Sequence, residues 1–252
     1  MTEFVKAPDG VRIAYEALGE GPTVVLVHGF ASSRIQNWQG PGWYRTLTEA
    51  GYRVVAMDCR GHGDSDKPYE VAAYDYAIMA EDVVAVMEAA GAAPAFLMGY
   101  SMGAFLAMHV LMDHPDSVRK LVLAGVGASY FGRAHLPQET IAEALLAADK
   151  SKITDPVGKT FRDFAEQPGK DRRALAACMR ANRRPFSPAD LKQAQRPVLV
   201  VCGEKDVLTG SPEPLAHAFA AGRALIVPGR DHMSTVGDAV YKRGALAFFG
   251  EA

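Results

Sequence analysis

Cysteine is scarce in this chain: Cys59, Cys178 and Cys202 are odd in number and far apart, with no C-x-x-C and no histidine at ligand spacing. That argues against a disulfide framework or a zinc site as the organising device. Two of the three lie in apolar, strand-like runs, so buried, reduced thiols are expected. An excess of charge of one sign is missing as well. A formal net charge of −2 offers no electrostatic footprint for nucleic acid or an anionic membrane. No apolar run reaches membrane-spanning length, and Met1–Lys6 lacks the charged stretch leading into an apolar one that marks an export signal. Internal repeats and low-complexity linkers are absent too. Together these absences lead us to expect a soluble cytoplasmic protein with no nucleic-acid or membrane partner.

What is present is globular. Hydrophobic residues make up 49% of the chain and charged residues 22%, a balance that argues against disorder, and 252 residues suffice for one substantial core. The most informative stretch runs from Ala95 to Met108. Apolar residues end at Gly99, a lone serine stands at 101, Gly103 follows, and a helix-forming Ala/Met/Leu segment starts at once. This reads as strand, sharp turn, helix, with Ser101 forced into a sparsely allowed conformation and its hydroxyl pushed out at the sheet's edge. A G-x-S-x-G pattern alone is loose, and a Gly/Ser turn is the ordinary alternative. Of all the serines, only Ser101 has glycines at that spacing, and it has the strand-then-helix context a nucleophile elbow requires.

Along the chain, Phe4–Lys6 and Val11–Glu16 alternate around Pro8-Asp9-Gly10, predicting an antiparallel hairpin. Thr23–Val27 is continuously apolar and β-branched, as a strand covered on both faces should be. Helix patterns over Trp43–Glu49 and about Tyr74–Ala90 flank the strand Arg53–Met57. Leu121–Ala124, Pro197–Val201 and Ala224–Val227 read as further strands. Alternating strands and helices predict an α/β fold, a mostly parallel, doubly wound sheet whose ligands sit at the strands' carboxyl ends. The alternation breaks at 129–194, where Gln138–Ala148, Val157–Ala165 and Asp171–Arg180 are helical in pattern with no strand between them. We expect residues 1–128 and 195–252 to form the core, with 129–194 as an inserted helical cap over the active face. Tyr130, Phe131, Phe161 and Phe164 are its candidate substrate contacts; they and Phe186 could equally serve packing. Arg180, Arg183 and Arg184 could meet an anionic substrate, but cations near helix C-termini are ordinarily solvated.

A serine hydroxyl becomes a useful nucleophile when an imidazole takes its proton and a carboxylate holds that imidazole. Among seven histidines, His232 lies just beyond the last strand, on the face where Ser101 emerges. His109, His114, His135 and His217 fall in helices or surface-like segments. Asp206 follows the preceding strand and can reach toward His232, while the loop Gly125–Ala128 holds no carboxylate and Asp231 should diverge from its neighbour. A surface turn beside Lys205 is the plainer reading of Asp206. Two backbone N–H groups, of Met102 and of Phe30 after Gly29, are expected to form an oxyanion hole, with His28 as a brace.

His28-Gly29-Phe30, Asp58–Ser65, Gly99–Gly103, Gly203–Asp206 and Gly229–His232 closely resemble, in order and spacing, the consecutive signatures of the α/β-hydrolase superfamily, over nearly the full length. The resemblance implies a serine-nucleophile branch with a small helical cap, similar to carboxylesterases and meta-cleavage-product hydrolases. It also implies a structural role for the Asp58–Ser65 loop, with no catalytic role for His62. Haloalkane dehalogenases and epoxide hydrolases carry aspartate where Ser101 stands. The expected activity is hydrolysis of a small carboxylic ester by Ser101, Asp206 and His232, with a small acyl substrate as partner and no metal or organic cofactor. C–C bond hydrolysis, perhydrolase or cofactor-free haloperoxidase activity, and a non-enzymatic receptor function remain as alternatives. Neither substrate nor oligomeric state is legible.

Overall fold

A computed structural model describes residues 1–132 and 137–251. Strands β1 (Glu3–Lys6) and β2 (Arg12–Leu18) make the expected antiparallel hairpin. β2 then pairs antiparallel with β4 (Arg53–Met57), and β4 pairs in parallel with β3 (Thr23–Val27). On the other side of β3 come β5 (Ala95–Tyr100), β6 (Val118–Ala124), β7 (Val198–Gly203) and β8 (Gly222–Val227), all parallel. The order β1-β2-β4-β3-β5-β6-β7-β8 reverses direction between β3 and β5, which opens a crevice at their carboxyl ends.

Pleating sends alternate side chains to opposite faces. Val25, Val27, Leu97, Leu121 and Leu123 pack on one side with helices α2 (Tyr76–Ala89) and α3 (Met102–Asp113). Val24, Leu26, Met98, Val122 and Val201 pack on the other with α1 (Trp43–Glu49) and α9 (Ala239–Gly250). Two faces of equal hydrophobicity are what the unbroken apolar runs anticipate. β8 departs from that reading. It is the sheet's edge, Ile226 is 41% exposed and only Val227 is buried, so its apolar character marks an edge with one thinly covered face. β6 begins earlier than its apolar run because Arg119 and Lys120 lie where the strand is still exposed.

The segment between β6 and β7 carries α4 (Gln138–Leu146), α5 (Pro156–Ala165), α6 (Arg172–Arg180) and a short α7 (Pro188–Leu191). α7 opens with a reciprocal Ser187/Asp190 cap, a start signal the hydrophobic pattern does not carry. α8 (Glu213–Ala218) links β7 to β8. α4, α5 and α6 share an apolar cluster of Ile141, Leu145, Ala165, Leu175 and Met179.

Away from the crevice, Arg60 ties three parts of the chain together. Its guanidinium meets Asp82 of α2 at 2.6 and 2.7 Å, Asp9 of the hairpin turn at 2.6 Å and the Ala73 carbonyl at 2.8 Å. At the crevice the tightest approach is Gly103 of α3, where a Cβ would overlap the Val27 and His28 carbonyl oxygens. Gly103→Ala is expected to cost about 3 kcal/mol, because those atoms belong to the sheet backbone and cannot yield. Urea unfolding of the variant checks this, and an unchanged midpoint would contradict it.

Candidate active site

β5 delivers Ser101 to the crevice in a strained state. Ser101 has φ 52° and ψ −115°, a conformation that costs on the order of 1–3 kcal/mol for a residue with a side chain. Local bonds hold it there: its N–H donates to the Ala124 carbonyl at 2.8 Å, and its own carbonyl accepts from the Ala104 N–H at 2.9 Å. Gly99 and Gly103 keep strand and helix close, since a Cβ on Gly99 would strike the Gly103 carbonyl. Ser101 is half-buried, at the N-terminus of α3.

Register brings the other predicted residues to the same edge. Ala124 lies beside Tyr100, Val201 beside Ala124, and Val227 beside Gly203. The loops after β7 and β8 are joined by backbone bonds from Glu204 N–H to the Val227 carbonyl (2.9 Å) and Lys205 N–H to the Arg230 carbonyl (2.8 Å). Across this join His232 Nδ1 meets Asp206 Oδ2 at 2.7 Å. Burial pushes the Asp206 carboxyl up, but the His232 bond, helped by Thr209 and the Leu208 N–H, leaves it below its usual range. Asp206 is therefore ionised near neutral pH. It holds the proton of His232 on Nδ1 and frees Nε2 as an acceptor.

Two further contacts fix the imidazole at the carboxyl edge of the sheet. The Tyr100 hydroxyl donates to the His232 carbonyl, and burial with the nearby Asp206 charge raises the Tyr100 phenol, so it stays a donor. Trp38 packs edge-on against the Tyr100 ring at 6.4 Å. Gly125, next along from Ala124, leaves room for the ring: a Cβ there would stand 3.1 Å from His232 Cε1. Asp231 turns away, accepting from Met233 N–H, Ser234 N–H and the Ser234 hydroxyl.

The amides of Phe30 and Met102 have no hydrogen-bond acceptor among the described residues. Gly29 admits the loop: its Cβ would lie 3.3 Å from Ser101 Cβ, and its N–H donates to Asn37 Oδ1 at 3.1 Å. His28 Nδ1–H donates to the Gly29 carbonyl at 2.7 Å while Nε2 accepts from Cys59 N–H at 3.0 Å. His62 Nδ1–H donates to the Arg60 carbonyl at 2.9 Å while Nε2 accepts from Ala31 N–H at 3.0 Å. Burial is the main cause that lowers His28 to about 4 and His62 to about 3, so neither ring is cationic at neutral pH. Both rings are thus fully committed to backbone partners.

Of the aromatics named for substrate contact, Phe161 has its ring 5.8 Å from that of Phe30 in the loop after β3. Phe164 lies under the Lys170 ammonium, 3.5 Å from its ring centre. Tyr130 stacks on Phe105 at 5.8 Å and its hydroxyl accepts from Phe186 N–H. Phe131 is 38% exposed and meets Tyr130 edge-on. The arginines are engaged elsewhere: Arg180 with Glu139 at 2.9 Å, Arg184 with Asp113 at 3.2 Å, and Arg183 over the Tyr76 ring. His135 lies outside the described residues. An open groove of about 570 Å³, lined by Val71, Gln138 and Arg180 among others, contains none of Ser101, Asp206 or His232.

Sequence reasoning missed Asn37, the Tyr100 anchor and the clearance at Gly125, because each depends on a contact that has no local sequence period. All three cysteines are buried and free. Among the described residues no helix is long and apolar enough to cross a membrane, and no group of three or more His, Cys, Asp or Glu side chains could hold a metal ion.

Residues 22–152 match the family model described as alpha/beta hydrolase fold. The AB hydrolase superfamily protein YisY of Bacillus subtilis is 30% identical over 170 residues, 64% of this chain and 61% of that protein. Epoxide hydrolase B of Mycobacterium tuberculosis is 35% identical over 159 residues, 60% of this chain and 42% of that one. The matched region therefore spans less than two thirds of either relative. A hydrolase from Pseudomonas aeruginosa superposes with a TM-score of 0.82 at 26% identity, covering 99% of this chain and 98% of its own.

The electrostatics of the site predict an acid-sensitive fold. Unfolded histidines take up a proton near pH 6.5, whereas folded His28 and His62 resist it until about pH 4 and 3. Their contribution to stability is complete above pH 6.5 and is lost as pH falls from there toward 3, by a few kcal/mol. The lowered Asp206 carboxyl acts in the same direction at the acid end. Urea midpoints should drop steadily from pH 7 to pH 4; a midpoint that rises across that range would contradict the reading.

Proposed function

The chain belongs to the alpha/beta hydrolase fold family, and from that premise we propose that it is a serine hydrolase cleaving a small carboxylic ester through an acyl-enzyme on Ser101. The observation that carries the proposal is the 2.7 Å bond between His232 Nδ1 and Asp206 Oδ2, with the ring seated over Gly125 beside the Ser101 strand. In this reading His232 Nε2 takes the Ser101 proton as Oγ attacks the ester carbonyl. The Phe30 and Met102 amides receive the developing oxyanion. His232 then protonates the leaving alcohol, activates a water against the acyl-enzyme and returns the proton to Ser101. Residues 129–194 act as the cap, with Phe161 and Phe164 on its substrate side.

Epoxide opening, suggested by the printed name of one relative, fits this site poorly. A carboxylate that opens an epoxide becomes an ester, which water can release. A serine would become an ether, which has no carbonyl for an oxyanion hole to act on. A serine at this position turns the same fold toward acyl transfer.

Ser101→Ala is expected to lower kcat on p-nitrophenyl acetate by about 10⁴-fold or more, and Asp206→Asn by about 10³- to 10⁴-fold, with the fold retained. A fluorophosphonate probe should add one label, on Ser101, located by peptide mass. Undiminished esterase activity in Ser101→Ala would sink the assignment.

A further inference from the structure

The loops after β3 and β4 exchange histidines. His28, from the first loop, accepts from the Cys59 N–H of the second at 3.0 Å. His62, from the second, accepts from the Ala31 N–H of the first at 3.0 Å. The rings stand edge to face at 5.2 Å, and each gives its remaining N–H to a carbonyl, of Gly29 (2.7 Å) and of Arg60 (2.9 Å). The clasp is reciprocal, buried and without a spare donor or acceptor.

Its geometry bears on one residue. A peptide unit is planar and trans, so its N–H points opposite its C=O. The Gly29 carbonyl held by His28 and the Phe30 N–H belong to the same peptide plane. The Ala31 N–H held by His62 lies in the next plane, and the two planes meet at the Cα of Phe30. Holding both leaves φ and ψ of Phe30 no freedom. Ala31 itself has φ 54°, in the left-handed region that costs a side-chain-bearing residue about 1–2 kcal/mol. Rotating the Phe30–Ala31 plane would relieve that strain, and the bond to His62 Nε2 opposes the rotation. The His62 ring also abuts the Phe30 ring edge-on at 5.8 Å.

We infer that His62 is a positioning residue for the reaction: with His28 it aims the Phe30 amide at the oxyanion. It touches no reacting atom and transfers no proton. Its influence should appear in the chemical step rather than in substrate affinity. The inference rests on the serine-hydrolase reading above, in which the Phe30 amide is an oxyanion donor.

The test compares His62→Leu, which removes the acceptor, with His62→Gln, whose amide can offer an acceptor and a donor at similar reach. On p-nitrophenyl acetate, His62→Leu should lose about 10²-fold in kcat, as expected of a misplaced catalytic group, with KM within threefold. His62→Gln should recover to within tenfold of the wild type. Inhibition by an aryl trifluoromethyl ketone, whose bound hemiketal presents an oxyanion, should weaken in parallel with kcat. If His62→Leu does not fold, His62→Asn, too short to reach Ala31, takes its place against His62→Gln. Equal kcat in both variants, whether retained or lost, overturns the inference, as does a loss carried by KM. A wild-type enzyme that takes no fluorophosphonate label at Ser101 overturns the underlying reading instead, so the two failures are told apart.

Discussion

Helix α3 starts closer to the sheet than any side chain would allow. Gly103 rests on the carbonyl oxygens at the end of β3, and Gly99 on the first turn of the helix. That approach leaves the chain only one residue in which to turn, and Ser101 takes the strain. The unfavourable conformation, on the order of 1–3 kcal/mol, is offset by the backbone bonds to Ala124 and Ala104 and by the burial of Ala104, Leu106 and Ala107 behind them. A looser turn would relax the serine into the sheet and end its exposure.

The rest of the site is held largely by backbone pairing, with the Asp206 carboxylate on His232 at its centre. The Asp206 and His232 loops are joined through Glu204 and Lys205 amides before their side chains meet. The loop after β3 is held by Asn37, His28 and His62, all bonded to main-chain atoms. Arg34 anchors the same region by pairing with Asp58, whose carboxylate also accepts the Arg34 and Asp64 amides. Fixed dipoles in a buried setting need little reorganisation when charge develops nearby.

Much of this was legible in the sequence for a physical reason. Parallel strands covered on both faces must be continuously apolar, so β3, β4 and β7 announced themselves. Close backbone approach demands glycine, so Gly99 and Gly103 marked the elbow. Ser101, Asp206 and His232 were placed on one edge because strands alternating with helices send their carboxyl ends the same way. What stayed hidden works through contacts with no local period. The Tyr100 hydroxyl reaches a carbonyl 132 residues away, and the His62 ring an amide 31 residues away. β8 looked like its neighbours because composition records hydrophobicity and not which neighbour is missing.

The helical segment between β6 and β7 is built into this arrangement more deeply than its place in the chain suggests. Its apolar cluster includes Ala31. Its Phe161 rests on Phe30, and Cys178 of α6 approaches the Met102 sulfur at 3.7 Å. Phe30 and Met102 therefore pack their side chains against the insertion. Grafting another insertion here would exchange those contacts too. An exchanged insertion would have to bring its own support for residues 30 and 102.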